Sequence, residues 1–194
     1  MARTKEFDRD EAVRRAMVVF WEQGYEATST DDLLRAMGIG RQSMYDTFGD
    51  KHGLYLEALR CYQTEYGANM AECLRSHASP VAALRQFLLS IPGATPKERA
   101  RGCLSVNATA ELGHTDKEVA TVLQSSGALG LGMLERIVRE AQHKGELNPK
   151  LDARIAASFL LTSIGGLRLG AKAGTPPETL RAVVDFTLAG LKAQ

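Results

Sequence analysis

The sequence predicts an all-α protein of about nine helices, with an N-terminal helix-turn-helix domain and a larger helical body. Three observations predict it. Apolar residues recur at three- and four-residue spacing along most of the chain, and alternating strand patterns are nearly absent. Gly and Pro punctuate the chain where helices of ordinary length would end. The composition of the 194 residues, 44% hydrophobic and 24% charged, is that of a globular chain able to bury a full core without disulfide or metal.

The first helix begins at Asp8, a capping residue, with Glu11 three positions on as its capping-box partner and Phe7 placed to staple onto Ala12. Val13, Met17, Phe20 and Trp21 share one face, and Gly24 closes the helix as an αL cap. Ser29 or Thr30 caps a short second helix, whose Asp31 and Asp32 suit the positive end of its dipole and whose Leu33, Leu34 and Met37 face inward. Gly38-Ile39-Gly40 is a tight turn, and Arg41 to Phe48 is a third short helix with Met44 and Phe48 on its buried side. Gly49-Asp50 breaks the chain, and Asp50 caps a long fourth helix to about His77.

Pro80 opens a fifth helix to about Ile91, followed by a loop marked by Pro92, Gly93 and Pro96. The sixth runs from about Gly102 to Leu112, and the seventh from Asp116 to about Lys144. The eighth spans about Leu151 to Ala171, Gly174-Thr175-Pro176-Pro177 breaks the chain, and Glu178 to Leu191 is the ninth. The division falls near residue 50, giving domains 1–50 and 51–194.

Charge and cysteine usage narrow the function. The 24 Lys+Arg nearly balance the 23 Asp+Glu, so indiscriminate coating of a polyanion is excluded and any nucleic-acid role must rest on a local constellation. No secretory signal opens the chain, and the longest apolar run, Ile155 to Leu161, is far short of a membrane span. Cys61, Cys73 and Cys103 are too few and too scattered for a disulfide framework or zinc knuckle, which points to a reducing cytoplasm. The four His residues form no metal-ligand pair, and no motif calls for a cofactor.

Three short helices with a Gly-flanked turn between the second and third are a helix-turn-helix arrangement, whose second helix reads the major groove. The outward side of that helix carries Arg41, Gln42, Ser43, Tyr45 and Asp46. Arg forks onto guanine, Gln onto adenine, and Asp accepts from cytosine. Thr30, Tyr45, Thr47 and Lys51 suit phosphate oxygens, and Arg3 and Lys5 lie on an N-terminal arm within reach of the DNA backbone or minor groove. Against this, Arg and Gln on a short helix are commonly just solvated surface, and residues 1–60 hold nine Lys+Arg against eleven Asp+Glu. Five of those acids sit at helix starts, where capping explains them.

The chain resembles the TetR family of transcriptional regulators. The resemblance is carried by Gly24-Tyr25 with Thr28, by Ala36-Met37-Gly38-Ile39, and by Tyr45 with Phe48 and Lys51, at matching mutual distances over about residues 8–60. His52-Gly53 departs from the pattern, where the family often has Glu or Ser before the Leu. The resemblance implies a homodimer that places two recognition helices in successive major grooves of double-stranded DNA. By position it implies base-region contacts from Arg41, Gln42, Ser43 and Tyr45, and phosphate contacts from Thr30, Tyr45, Thr47 and Lys51.

The body holds no nucleophile elbow, zinc-protease motif or phosphate loop. The eighth helix carries Ile155, Phe159, Thr162, Gly166 and Gly170 on one side, and the ninth carries Leu180, Val183, Val184, Thr187, Leu188 and Leu191. These read as a dimer seam, and the resemblance implies a four-helix interface there. Gly127, Gly130 and Gly132 inside the seventh helix suggest close helix packing or space kept for a ligand. Candidate effector-pocket residues are Tyr62, Tyr66, Met70, Phe87, Cys103, Asn107, Glu111, Leu129, Met133 and Phe159, apolar bulk with a few polar groups. Each is also an ordinary core choice. Arg101-Gly102-Cys103-Leu104 with Asn107 and Ala110-Glu111-Leu112 resembles a subgroup of TetR-like regulators. Cys103 reads two ways: a small buried hydrophobe, or a sensor thiol favoured as thiolate by the helix start and by Arg99 and Arg101. The expected function is a repressor released from its operator by a small molecule. The alternatives are an activator with the same DNA contacts, or an all-helical carrier or enzyme using the pocket directly, for which no acid–base constellation speaks.

Overall fold

The computed structural model describes residues 7–192, so the arm residues Arg3 and Lys5 lie outside the described residues. Ten helices occur among the described residues: α1 (Arg9–Gln23), α2 (Thr30–Met37), α3 (Arg41–Phe48), α4 (Lys51–Arg75), α5 (Pro80–Gly93), α6 (Pro96–Arg101), α7 (Leu104–Leu112), α8 (Lys117–His143), α9 (Ala153–Lys172) and α10 (Pro177–Ala189). No strand interrupts them among the described residues, as the periodicity requires.

The additional helix is α6, in a segment read as loop. Its signals are local. Thr95 and Glu98 form a complete capping box and Pro96 occupies the first turn, where its missing N–H costs nothing.

At α1 the cap differs from expectation in two details. The Asp8 side chain accepts from the N–H groups of Asp10 and Glu11, but the Glu11 carboxylate turns to Arg15 at 2.9 Å and does not close a capping box. Gly24 has φ 87 and ψ 171, positive but extended, so it is not an αL cap. The chain leaves α1 outward because the next two N–H groups are claimed by Glu111 of α7. At α2 the cap is Ser29, reciprocated by Asp32, and Gly38 takes the αL conformation (φ 70) that turns the chain toward α3.

Two hydrophobic clusters form the core, and α4 runs through both. One gathers the inner faces of α1, α2 and α3 with Leu54, Tyr55, Leu59 and Tyr62 of α4, and continues into Leu104 and Ala108 of α7 and Val119 of α8. Phe20 meets Tyr55 edge to face at 4.9 Å inside it. The other joins Met70 and Leu74 of α4 to α5, α8, α9 and α10. The N-terminal helices thus share a core with α7 and the start of α8, so a shift there reaches the N-terminal helices by packing alone.

The three glycines of α8 are not needed for close approach. A Cβ on Gly130 would meet Leu161 at an ordinary 3.7 Å, and nothing lies within 4 Å of one on Gly127 or Gly132. The seam residues divide. Ile155 (68% exposed) and Phe159 (47%) face outward on α9 with Thr162, Gly166 and Leu169. On α10, Leu180, Val184, Thr187 and Leu188, with Leu191 beyond it, are buried within the subunit, because this face packs on α5 and α9. Only Val183 and Phe186 (81% exposed), the second unpredicted, are large apolar groups of α10 left outside.

Candidate functional site

The outward face of α3 is built by what the inward face buries. Met44 and Phe48 are anchored in the core, which turns Arg41, Gln42, Tyr45 and Asp46 to solvent and leaves Ser43 and Thr47 half-buried on the flanks. The exposed groups are held in place. Arg41 pairs with Asp31 of α2 at 2.6 Å, and the Gln42 amide donates to Asp46 at 2.7 Å. Both contacts lie in solvent, where such pairs are weak. Lys51 places its Nζ 4.4 Å from the centre of the Tyr25 ring, a cation–π contact at the first turn of α4. Thr30 is half-buried at the start of α2, beside Ser29. Arg9 bonds Glu57 at 2.6 Å and lies over Phe48, tying α1 and the end of α3 to α4. The helix pair is therefore a braced unit, with one polar face free to approach a groove.

Polar links at two residues of the body, Glu111 and Gly102, join this unit to it, and a third link pins the start of α4 to α8. The Glu111 carboxylate accepts the backbone N–H groups of Tyr25 at 3.0 Å and Glu26 at 2.8 Å. His52 on α4 bonds the Asp116 carboxylate, the cap of α8, at 2.6 Å. The Trp21 indole N–H donates to the Gly102 carbonyl at 3.0 Å. Val119 N–H first, then His52 and the Glu118 N–H, hold the Asp116 carboxyl below the usual carboxylate range.

The candidate pocket residues sort into three groups. Tyr62, Tyr66, Phe87 and Cys103 come together in the interior: Tyr62 and Tyr66 stack at 6.0 Å, Tyr66 meets Phe87 at 6.3 Å, and the Tyr62 hydroxyl donates to the Cys103 Sγ at 3.3 Å. Burial and the adjacent Cys103 push the Tyr62 phenol up, so it stays protonated and remains the donor. Met70 is buried and Met133 half-buried in the neighbouring cluster. Asn107 and Glu111 have their polar groups engaged within the subunit. Asn107 donates to the Arg101 carbonyl at 3.2 Å and accepts from Lys172 at 2.7 Å, and Glu111 serves the α1–α2 turn. Leu129 (71% exposed) and Phe159 point away from any interior space, because the inner positions of their helices are filled by Gly130 and Leu134 and by Ala156 and Leu160. Cys103 is the N-cap of α7 and is 6% exposed.

A larger cleft, of about 430 Å³, lies between α1 and α4 beside Arg9, Glu57 and Cys61, away from these residues; a smaller one lies one layer outward from the aromatic group. This smaller cleft, of about 170 Å³, runs between the end of α1, α5, α6 and α9, and is lined by Trp21, Ile91, Arg101, Gly102, Arg168 and Ala171 among others. Arg101 lies 3.7 Å from the centre of the Trp21 ring and Arg168 lies 4.6 Å from that of Tyr66. None of the ten candidates lines this cleft. One signal for it was present: Arg168 interrupts the apolar run Ile164-Gly165-Gly166-Leu167-Arg168-Leu169, and a cation inside such a run is rarely idle.

The comparisons with known proteins agree with this architecture. Residues 13–58 match the family model described as bacterial regulatory proteins, tetR family, and residues 80–187 match the tetracyclin repressor-like C-terminal domain. The chain is 32% identical over 188 residues to the HTH-type transcriptional repressor ComR of Escherichia coli K12, covering 96% of this chain and 90% of that protein. It is 36% identical over 194 residues to the HTH-type transcriptional regulator YezE of Bacillus subtilis 168, covering 98% of this chain and 100% of YezE. A solved structure of a cysteine-substituted form of the TetR family transcriptional regulator CifR, complexed with 26-bp double-strand operator DNA, superposes with a TM-score of 0.83 at 31% identity, covering 98% of this chain and 100% of that one.

Proposed function

The chain belongs to the TetR family and is a helix-turn-helix DNA-binding transcriptional regulator, and from this premise we propose that it works as a homodimeric repressor that a small-molecule effector releases from a palindromic operator. The observation that carries the proposal is the polar face of α3, set outward by buried Met44 and Phe48, in a unit tied to the body through Glu111 and Gly102.

In this reading residues 1–50 bind DNA and residues 51–194 bind effector and partner. Arg41, Gln42, Ser43 and Tyr45 read the base region, while Thr30, Tyr45, Thr47 and Lys51 hold phosphates. The outward apolar row of α9, with Val183 and Phe186 of α10, joins two copies. Two recognition helices then meet half-sites about 34 Å apart. An effector that changes this spacing needs only about 1.4–2.8 kcal/mol of coupling for a 10- to 100-fold release. Such a regulator works in the cytoplasm, where its DNA lies. The test is a footprint on the intergenic DNA upstream of its own gene, at increasing salt and with added small molecules. A protected palindrome lost in a salt-dependent manner is expected, and no protection at low ionic strength refutes the reading.

A further inference from the structure

Three buried side-chain nitrogens have no hydrogen-bond partner among the described residues: Gln63 Nε2, Arg101 Nε and Arg168 Nε. The two arginines line the same cleft. No carboxylate pairs with either guanidinium among the described residues. Each rests instead against an aromatic face, Arg101 on Trp21 and Arg168 on Tyr66. The other cations nearby are occupied: Arg99 donates to the carbonyls of Pro92 and Ala94, and Lys172 to Asn107. The acid on the cleft wall, Glu98, is exposed and committed to the α6 capping box, at 2.8 Å from the Thr95 N–H and 2.7 Å from its hydroxyl. From that exposed position Glu98 offsets Arg101 only weakly, and no carboxylate faces Arg168; a half-buried guanidinium pair so poorly countered is costly unless an anion completes it.

We propose that this cleft binds a small organic carboxylate, its anionic head taken by Arg101 and Arg168 and its apolar body laid against Trp21, Ile91 and Ala171. The inference rests on the reading of a regulator controlled by a small molecule, and it names that molecule's chemical class. The planar forks of two arginines match a carboxylate. The space of about 170 Å³ corresponds to about six water volumes at roughly 30 Å³ each, enough for the head and one ring or a short chain. Trp21 converts occupancy into a signal. It forms a wall of the cleft, belongs to α1, and donates to the Gly102 carbonyl, so a ligand that moves Arg101 or Trp21 displaces α1.

Trp21 is the only tryptophan of the chain, so its emission reports the cleft directly. The experiment titrates the full-length protein with benzoate, phenylacetate and hexanoate, each against its primary amide, and with inorganic phosphate as an anion lacking a body. At least one acid shifts the emission saturably and binds about tenfold or more tighter than its amide. Arg168→Gln and Arg101→Gln each weaken that acid about tenfold, and Arg168→Lys recovers part of the loss. Helical circular dichroism checks folding, and half-exposed Arg101 supplies the variant less costly to the fold. An amide that binds like its acid, phosphate that binds as well as the acids, or no acid that shifts the emission overturns the inference. Operator gel shifts on the same samples separate the two readings. An acid that binds without freeing DNA supports the site and counts against effector control. A neutral compound that frees DNA while no acid binds keeps effector control and overturns the carboxylate site.

Discussion

The Glu111 carboxylate of α7 holds the backbone N–H of Tyr25 at 3.0 Å and of the following residue at 2.8 Å, at the turn that joins α1 to α2. One body side chain thus fixes the approach to the DNA-reading helices. Both amides face a single charged acceptor, and hydrogen bonds to charged groups are the stronger kind.

Replacing that acceptor should loosen the turn. Glu111→Gln keeps one acceptor oxygen and turns an NH₂ toward the other amide. We expect a loss of about 1–2 kcal/mol in urea unfolding, with weaker operator binding from an otherwise helical protein. Unchanged stability and unchanged DNA affinity together would show that the contact carries no structural role.

Gln42 on α3 and Lys51 at the start of α4 should separate sequence choice from general affinity. Gln42→Ala should relax preference at one base position in a randomised-site selection, costing about 1–3 kcal/mol of discrimination. Lys51→Ala should weaken all DNA sequences alike and reduce the salt slope by about one per subunit. A retained base preference in Gln42→Ala would remove Gln42 from the base contacts.

Phe186, 81% exposed on α10, lies with Val183 outside the subunit core. Phe186→Glu places a charge on that apolar surface without touching the subunit core. Sedimentation should then show monomers at concentrations where the parent chain is dimeric, and binding to a two-half-site operator should fall with it. A dimer of unchanged strength would move the seam elsewhere.

Asp116 sets an acid limit on stability. Its carboxyl is held low by the Val119 N–H, His52 and the Glu118 N–H. The folded value therefore lies below the unfolded value of about 3.9. Its stabilisation is complete above that unfolded value and is lost as pH falls through the folded one. Urea midpoints measured from pH 6 down to pH 3 should drop less steeply for Asp116→Asn than for the parent chain. Parallel curves would remove Asp116 from the acid response.

Gly132 sits in mid-helix with nothing within 4 Å of a Cβ placed there. Gly132→Ala should raise stability by about 0.5–1 kcal/mol, because Ala loses less backbone freedom on folding. A loss of stability would mean that another surface covers this side of α8 in the dimer.

The sequence by itself determined nine of the ten described helices and the helix-turn-helix arrangement. The cap at Ser29, the turn at Gly38 and the Met44–Phe48 spacing act within a few residues, so their physics is contained in the local chain, although the αL conformation expected at Gly24 occurs at Gly38. The same locality explains the miss at α6, where the Thr95–Glu98 box was present but Pro92 and Pro96 read as a loop. Only the tertiary structure decided which inward residues face space and which face protein. Leu129 and Phe159 sit at plausible helical positions, yet the angle at which each helix packs turns them out. Glu111 and Asn107 stood among the candidate pocket residues, yet they bond partners far off in sequence, at Tyr25, Glu26 and Lys172. The Arg101–Arg168 cleft joins residues of α6 and α9 across a gap that no periodicity encodes. Long-range packing sets that gap, and with it the charge at the centre of the proposed effector site.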